Sequence, residues 1–344
     1  DVLGIKRGWR GLLDYNLNDE NDNNELFFPL KSRKMHGVEN TGGTILHTTR
    51  FNPVEMDEGF LPHFLKGKVP ASPFKAGAFD CTDHILKVLD RMEIDVLIPI
   101  GGDGSLRFAA HLTQQKFPVI SIPKTMDNDV NGTDYCIGFS TCVTRCVSSI
   151  NNIRSTAASH ERIAIIELFG RYSGEPALLS GHIASADRVL IPEVPLDIDH
   201  FSELIREDQD RRSEKYAVAV VAEGVTLKDG KVLYQGTKDQ YGNNKLGGIG
   251  NYITDELSNN KNLDSFMQPL AYLLRSGEPD ALDKLAATSF GAMAIQQIEK
   301  KEFGKMTAIV NGNYALVDND CVLTPQPGLM IDNLYNAENY RPEI

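Results

Sequence analysis

The chain has 344 residues, 41% hydrophobic and 24% charged, a soluble globular composition long enough for two cores of ordinary domain size, and neither disordered, collagenous nor fibrous. Lys and Arg total 35 against 47 Asp and Glu, and the formal charge of -12 argues against a nucleic acid or an anionic membrane surface as the main partner. The most apolar stretches, Asp95 to Ile100 and Tyr216 to Ala222, are only strand-length, which excludes membrane insertion.

Taken in chain order, Asn16 to Arg33 is rich in Asn and Asp, and Asn52 to Ala78 carries four Pro with scattered Gly; both read as surface loops or insertions. Asp95 to Ile100 predicts a buried strand, Gly101 to Gly104 a turn, and Ser105 to Leu112 a helix. Phe117 to Ile122 predicts a second buried strand, followed by the polar loop Pro123 to Asp134 and a helix around Thr141 to Arg154. Arg162 to Leu168 and Tyr216 to Ala222 predict strands of a second sheet, each followed by a glycine turn. This alternation is that of parallel β-α-β units, so the fold class is α/β, expected as two similar lobes with a cleft between them, their mainly parallel sheets flanked by helices. No repeat of solenoid period and no low-complexity tract interrupts it. Five cysteines, Cys81, Cys136, Cys142, Cys146 and Cys321, form an odd set without a Cys-x-x-Cys pair, which suits a reduced, cytoplasmic setting.

Ligands of open parallel sheets gather beyond the carboxyl ends of the strands, and the unusual residues of this chain stand there. Gly101 and Gly102 let backbone N–H groups approach a phosphate, Asp103 is a hard oxygen ligand suited to Mg²⁺, and the following helix turns its positive end to the same place. The next strand end, Pro123-Lys-Thr-Met-Asp-Asn-Asp129, gathers a cation and two carboxylates. Phosphoryl transfer needs such a set: cations and a metal against the migrating charge, and a carboxylate, Asp127 or Asp129, to take the acceptor's proton.

These two motifs, Gly101 to Ser105 and Pro123 to Asp129, resemble the signature segments of the phosphofructokinase family. The resemblance continues through Gly42 to Phe51, Gly132 to Phe139, Ser159 to Arg162, Phe169 to Gly174, Ala222 to Gly224 and Tyr272 to Arg275, practically the whole chain. It implies transfer of a phosphoryl group to the 1-hydroxyl of fructose 6-phosphate, a step of glycolysis, with Asp127 as the base and Asp103 organising Mg²⁺. Thr125 and Arg171 would flank the transferring group, Lys124 would add positive charge, and Glu223 would hold sugar hydroxyls. Arg162 and Arg275, with Tyr272 where many relatives have His, would grip the 6-phosphate, and Asp129, Phe169 and Gly170 complete the substrate set. Arg50, Phe51, Gly102, Asp103, Gly104 and Ser105 would form the donor set. In the family Arg162 usually comes from a neighbouring subunit, which implies a homodimer or homotetramer. The implied lobes are residues 1–140 with 276–322 for the donor and 141–275 with 323–344 for fructose 6-phosphate.

Besides Tyr272, the chain departs from the family pattern in three ways. It begins at a segment resembling the family's second strand, Asp1 to Ile5, so the first strand-loop-helix unit is missing and truncation is expected. Phe266 falls where many relatives place a phosphate-gripping Arg. The donor motifs are mixed. Diphosphate users commonly carry Asp at the position of Gly104, where its side chain fills the space of an ATP α-phosphate; glycine leaves that space open and favours ATP. Lys124, frequent among diphosphate users, and Phe108, expected to crowd a purine or stack on it, point to diphosphate, while Arg50 suits either. Rival readings are a nicotinamide-dinucleotide or lipid kinase, which does not need the Pro123 to Asp129 loop together with Arg171 and Glu223, and a silent sugar-phosphate-binding subunit, which commonly loses its acids.

Overall fold

The computed structural model describes residues 1–19, 23, 25–31, 35–230, 233–238, 244–246, 248–324 and 333–344. Part of the Asn16 to Arg33 loop, and residues 325–332 of the expected acceptor lobe, therefore lie outside the described residues. The chain divides into two compact units, one of Asp1–Thr125, Val130–Ile137 and Gly277–Pro325, the other of Met126–Asp129, Gly138–Ser276 and Gln326–Ile344.

In chain order the main elements are helix α1 (Thr82–Arg91), strand β1 (Ile100–Gly101), α2 (Asp103–Gln114), β2 (Ile120–Pro123) and α3 (Phe139–Ser159). Then come β3 (Ile163–Leu168), α4 (Glu175–Ile183), β4 (Arg188–Leu190), α5 (Ile198–Arg211), β5 (Ala217–Ala222) and α6 (Ile249–Asp255). The last are β6 (Ser265–Pro269), α7 (Ala281–Lys300), β7 (Lys305–Val310) and β8 (Asn313–Asp318).

The first unit is built on a four-stranded sheet of order β8-β7-β2-β1, parallel except for its edge strand β8, which is antiparallel to β7. Regular pairing in β1 covers only Ile100–Gly101, although the sequence predicts a strand from Asp95. Pro99 is the reason: it has no N–H to donate, so the ladder that Leu97 opens with a 3.0 Å bond to the Pro118 carbonyl loses a rung before it resumes. Ile120, Ile122, Phe290 and Ala294 close one face of this sheet. Trp9, Leu12, Ile85, Leu89, Phe108 and Leu112 pack a second cluster. Asp1 to Ile5 forms a strand only at Leu3–Ile5, which pairs antiparallel with Phe27–Pro29 in a sheet of its own. The Pro-rich segment Asn52 to Ala78 carries a small core of its own, in which Met56, Leu61 and Leu65 meet Leu13 and Cys81.

The second unit holds a fully parallel sheet of order β6-β3-β5-β4. β3 and β5 are buried along their whole length, as expected of central parallel strands covered on both faces, and this is why they read as unbroken apolar runs. Glu167 is the exception in β3. Burial holds its pKa above the ordinary carboxyl range, outweighing the 2.9 Å bond it accepts from the Gly250 N–H at the start of α6 and the pull of the Gly248 N–H. A raised acid pKa in the folded state means that the associated stability is present at low pH and is lost as pH rises. Glu167→Gln keeps an acceptor and sheds the charge, so at pH 8 its Tm is expected a few degrees above that of the parent, the gap closing towards pH 4, by calorimetry.

No helix among the described residues is long and apolar enough to cross a membrane.

Candidate active site

The turn after β1 lies at the carboxyl end of the first sheet. An added Cβ on Gly101 would stand 2.7 Å from the Ser105 Cβ, so this position admits no side chain without movement, and one on Gly102 would touch Thr125 at 3.4 Å. Gly104 differs: a Cβ there meets nothing within 4 Å. Packing therefore demands the first glycine but not the third. Gly102 is the N-cap of α2 and no side chain caps the helix, so its first N–H groups remain available to an acceptor. Asp103 opens the helix, and both its oxygens are held by Arg107 Nε one turn later, at 3.0 and 2.9 Å.

The adjacent strand β2 brings the next motif alongside, because the Lys124 N–H bonds the Gly101 carbonyl at 2.8 Å. Exposed Lys124 and half-buried Thr125 thus share the rim of Gly102 and Asp103. Arg50 is exposed, whereas the Phe51 ring packs edge-on to Phe60 at 5.5 Å beneath the Arg10 guanidinium, in the small core of the Pro-rich segment. Phe108 corrects an expectation. It is 1% exposed and its ring meets Trp9 edge-to-face at 4.8 Å, so it is core of α2 and neither crowds nor stacks on a ligand.

Between Thr125 and Met126 the chain passes into the second unit. Asn128 there adopts a left-handed conformation (φ 52°), tolerable for Asn, and its buried side chain donates to Glu175 Oε2 at 3.1 Å. That bond anchors the loop carrying Asp127 and Asp129 to the first turn of α4.

The residues expected on the acceptor side stand at the carboxyl ends of β3, β5 and β6. After β3 come Phe169, Gly170 and Arg171; Gly170 has φ 136°, and a Cβ on it would be 2.8 Å from the Ser173 carbonyl. After β5 comes Glu223, whose N–H bonds the Leu168 carbonyl at 2.9 Å, and Gly224 N bonds the Gly170 carbonyl at 3.2 Å. These two bonds tie the Arg171 and Glu223 loops together so closely that a Cβ on Gly224 would lie 2.1 Å from the Arg171 carbonyl. After β6 a short helical turn, Ala271–Arg275, places the Arg275 guanidinium 4.3 Å from the Tyr272 ring centre and 5.4 Å from that of Phe169. Tyr272 is 71% exposed, an aromatic face left open to solvent beside an arginine.

Arg162 stands apart. It precedes β3, at the opposite end of the strand from Phe169, roughly 20 Å away at about 3.3 Å per residue. Its guanidinium bonds Asp264 Oδ1 at 2.8 Å and the Ser265 carbonyl at 2.7 Å and lies 5.4 Å from the Phe266 ring centre. Register explains the last contact, since Ala164 pairs with Phe266. Within one chain Arg162 and Arg275 do not meet.

Among the described residues no group of three or more His, Cys, Asp or Glu is placed to hold a metal ion. The accessible carboxylate of Asp103 suits a Mg²⁺ ion that arrives with phosphate oxygens, since Mg²⁺ commonly takes one or two carboxylates and completes its shell from substrate and water. Two residues outside the sequence motifs hold residues within them: Arg107, legible as a basic residue four places from Asp103, and Glu175, which no local pattern reveals because it lies 47 positions from its partner Asn128.

Comparison with known proteins agrees with these motifs. The family model described as Phosphofructokinase matches residues 1–298. "ATP-dependent 6-phosphofructokinase 3" of Streptomyces coelicolor is 33% identical over 310 residues, 90% of this chain and 81% of that one. "Pyrophosphate--fructose 6-phosphate 1-phosphotransferase" of Amycolatopsis methanolica is 34% identical over 312 residues, again 90% and 81%. Among solved structures, phosphofructokinase from Saccharomyces cerevisiae superposes with a TM-score of 0.71 at 22% identity, over 94% of this chain and 41% of the yeast chain. The pyrophosphate-dependent enzyme from Marinobacter aquaeolei gives 0.71 at 17% identity, over 98% and 78%. At those identities the structures speak for the fold alone, while the family model and the relatives a third identical over nine-tenths of the sequence show that this chain belongs to the phosphofructokinase family.

Proposed function

We propose that the protein transfers a phosphoryl group from ATP to the 1-hydroxyl of fructose 6-phosphate, giving fructose 1,6-bisphosphate. The observation that carries this reading is the convergence, in one unit, of Arg171, Glu223 and Arg275 on the carboxyl ends of three neighbouring parallel strands, with Asp127 on a loop anchored to the same unit. Arg275 holds the 6-phosphate beside Tyr272 and Phe169, Glu223 the sugar hydroxyls, and Asp127 takes the proton of the attacking hydroxyl. Asp129 and Gly170 complete the acceptor contacts. Thr125, Lys124 and Arg171 act on the migrating phosphoryl group. On the donor side Gly102, Gly104 and Ser105 supply backbone contacts, Arg50 a guanidinium and Phe51 a packed support, and Asp103 holds the Mg²⁺ that neutralises phosphate charge. Arg162 serves a neighbouring subunit's acceptor site, which its distance from Arg275 supports and which makes the working form a homo-oligomer. A cytoplasmic place in glycolysis follows from this activity.

ATP is favoured because the space at Gly104 is open and because Phe108, buried under Trp9, does not oppose a purine. Diphosphate remains the second reading on the strength of exposed Lys124. The deciding experiment is the initial rate of fructose 1,6-bisphosphate formation by the purified protein with Mg²⁺ and either donor. A rate with ATP alone supports the proposal, a rate with diphosphate alone transfers it to the reversible enzyme, and no product with either overturns the function.

Arg275→Ala is expected to raise KM for fructose 6-phosphate about 10–100-fold, the value of one charge-assisted hydrogen bond, with a smaller effect on kcat. Steady-state kinetics decide it: an unmoved KM puts the 6-phosphate elsewhere.

A further inference from the structure

We propose that Arg107 guards the Asp103 carboxylate, pairing with it while the donor site is empty and releasing it to the divalent cation that enters with the donor's phosphates, to which its own guanidinium then turns. This rests on the phosphofructokinase reading and deepens its donor site by one positioning residue.

Three observations support the exchange. First, Arg107 reaches Asp103 through Nε alone, at 3.0 and 2.9 Å from the two oxygens, and among the described residues it has no other polar partner. The two terminal nitrogens of its fork, which suit the bidentate grip of a phosphate, are therefore unspent. Second, the pair is easily parted. Both side chains are 39% exposed and sit at i and i+4 on α2, where an ion pair stabilises only modestly and is screened by salt. The contrast within this chain is Arg188 with Asp208, 2% and 3% exposed, which no small ion displaces without leaving a buried charge alone. Third, the pair stands at the uncapped start of α2, beside Gly102 and open Gly104, where N–H groups already favour anionic oxygen. A cation bound to phosphate thus meets a carboxylate whose one ion pair among the described residues is with a guanidinium that still has two nitrogens to offer the phosphate.

The test uses Mn²⁺ as the probe cation and Arg107→Met, which keeps the aliphatic stem and drops the charge. Free Mn²⁺ is counted by electron paramagnetic resonance, first without nucleotide and then with ATP, and Asp103→Asn identifies the fraction held by this carboxylate. Removing a competing cation is expected to tighten Mn²⁺ alone about two- to fivefold, while loss of a phosphate donor weakens the Mn²⁺–ATP complex about tenfold. Opposite shifts are the signature, because a merely helix-stabilising role moves both affinities in one direction or neither. Arg107→Gln repeats the measurement should the methionine variant lose helix by circular dichroism. Unchanged or parallel affinities in a protein that makes fructose 1,6-bisphosphate overturn the role of Arg107 alone. Opposite shifts in a protein that makes no product from either donor keep that role and overturn the phosphofructokinase reading.

Discussion

Replacing Asp127 by Ser is expected to lower kcat by about three powers of ten while KM for fructose 6-phosphate stays within about threefold, because a general base acts on the proton in flight and contributes roughly 10²–10⁴. The fold should survive the change. The loop is anchored by the bond from Asn128 to Glu175, and its left-handed turn falls on Asn128, so a smaller side chain at position 127 leaves both in place. Steady-state kinetics with the preferred donor, alongside a thermal melt, separate chemistry from stability. A pure KM effect removes Asp127 from the role of base. A larger kcat loss in Asp129→Ser transfers the role to that residue, the other carboxylate of the same loop.

Gly104→Asp is expected to reduce kcat/KM for ATP about 100-fold or more, through volume and like charge placed where the proposed donor site puts the α-phosphate, a juxtaposition that costs several kcal/mol. The structure makes this a clean experiment. A Cβ at Gly104 meets nothing within 4 Å, and the residue is not among the glycines with positive φ, so neither clash nor backbone strain attends the substitution. A carboxylate in the first turn of α2 also favours the helix dipole, by about 0.3–1 kcal/mol, so the variant should melt no lower than the parent. Loss of ATP use in a fully folded protein, with diphosphate use unaffected or newly measurable, then reports on the donor alone. Unchanged ATP kinetics show that the donor lies in another pose.

Much of the architecture was written in local patterns. β3 and β5 were legible because a central parallel strand is buried on both faces and leaves an unbroken apolar run, and the helices after Gly102 and Gly138 because glycine turns mark where those runs end. The residue types of the site were legible for a related reason: Gly101 to Ser105 and Pro123 to Asp129 are contiguous, so their chemistry needs no knowledge of what lies opposite. Strand limits were less so, since Pro99 interrupts the ladder of β1 inside a segment that hydropathy alone reads as continuous.

By itself, then, the sequence determined the α/β class, the acids, cations and glycines gathered at strand ends, and the family they match. Only tertiary structure decided what each of them touches. It turned Phe108 into core against Trp9, 99 positions away, and with that withdrew an argument about the donor. It set Arg162 on Asp264 and Phe266 at the far end of β3 from Arg275, a consequence of parallel register that no local pattern encodes. It joined Asn128 to Glu175 and left Gly104 facing open space where Gly101 is packed shut. The physical reason is common to the Phe108, Arg162 and Asn128 contacts: periodicity and turn chemistry act over a few residues, whereas side-chain neighbours across a sheet or between a loop and a helix are set by strand order, register and packing of segments distant in the chain.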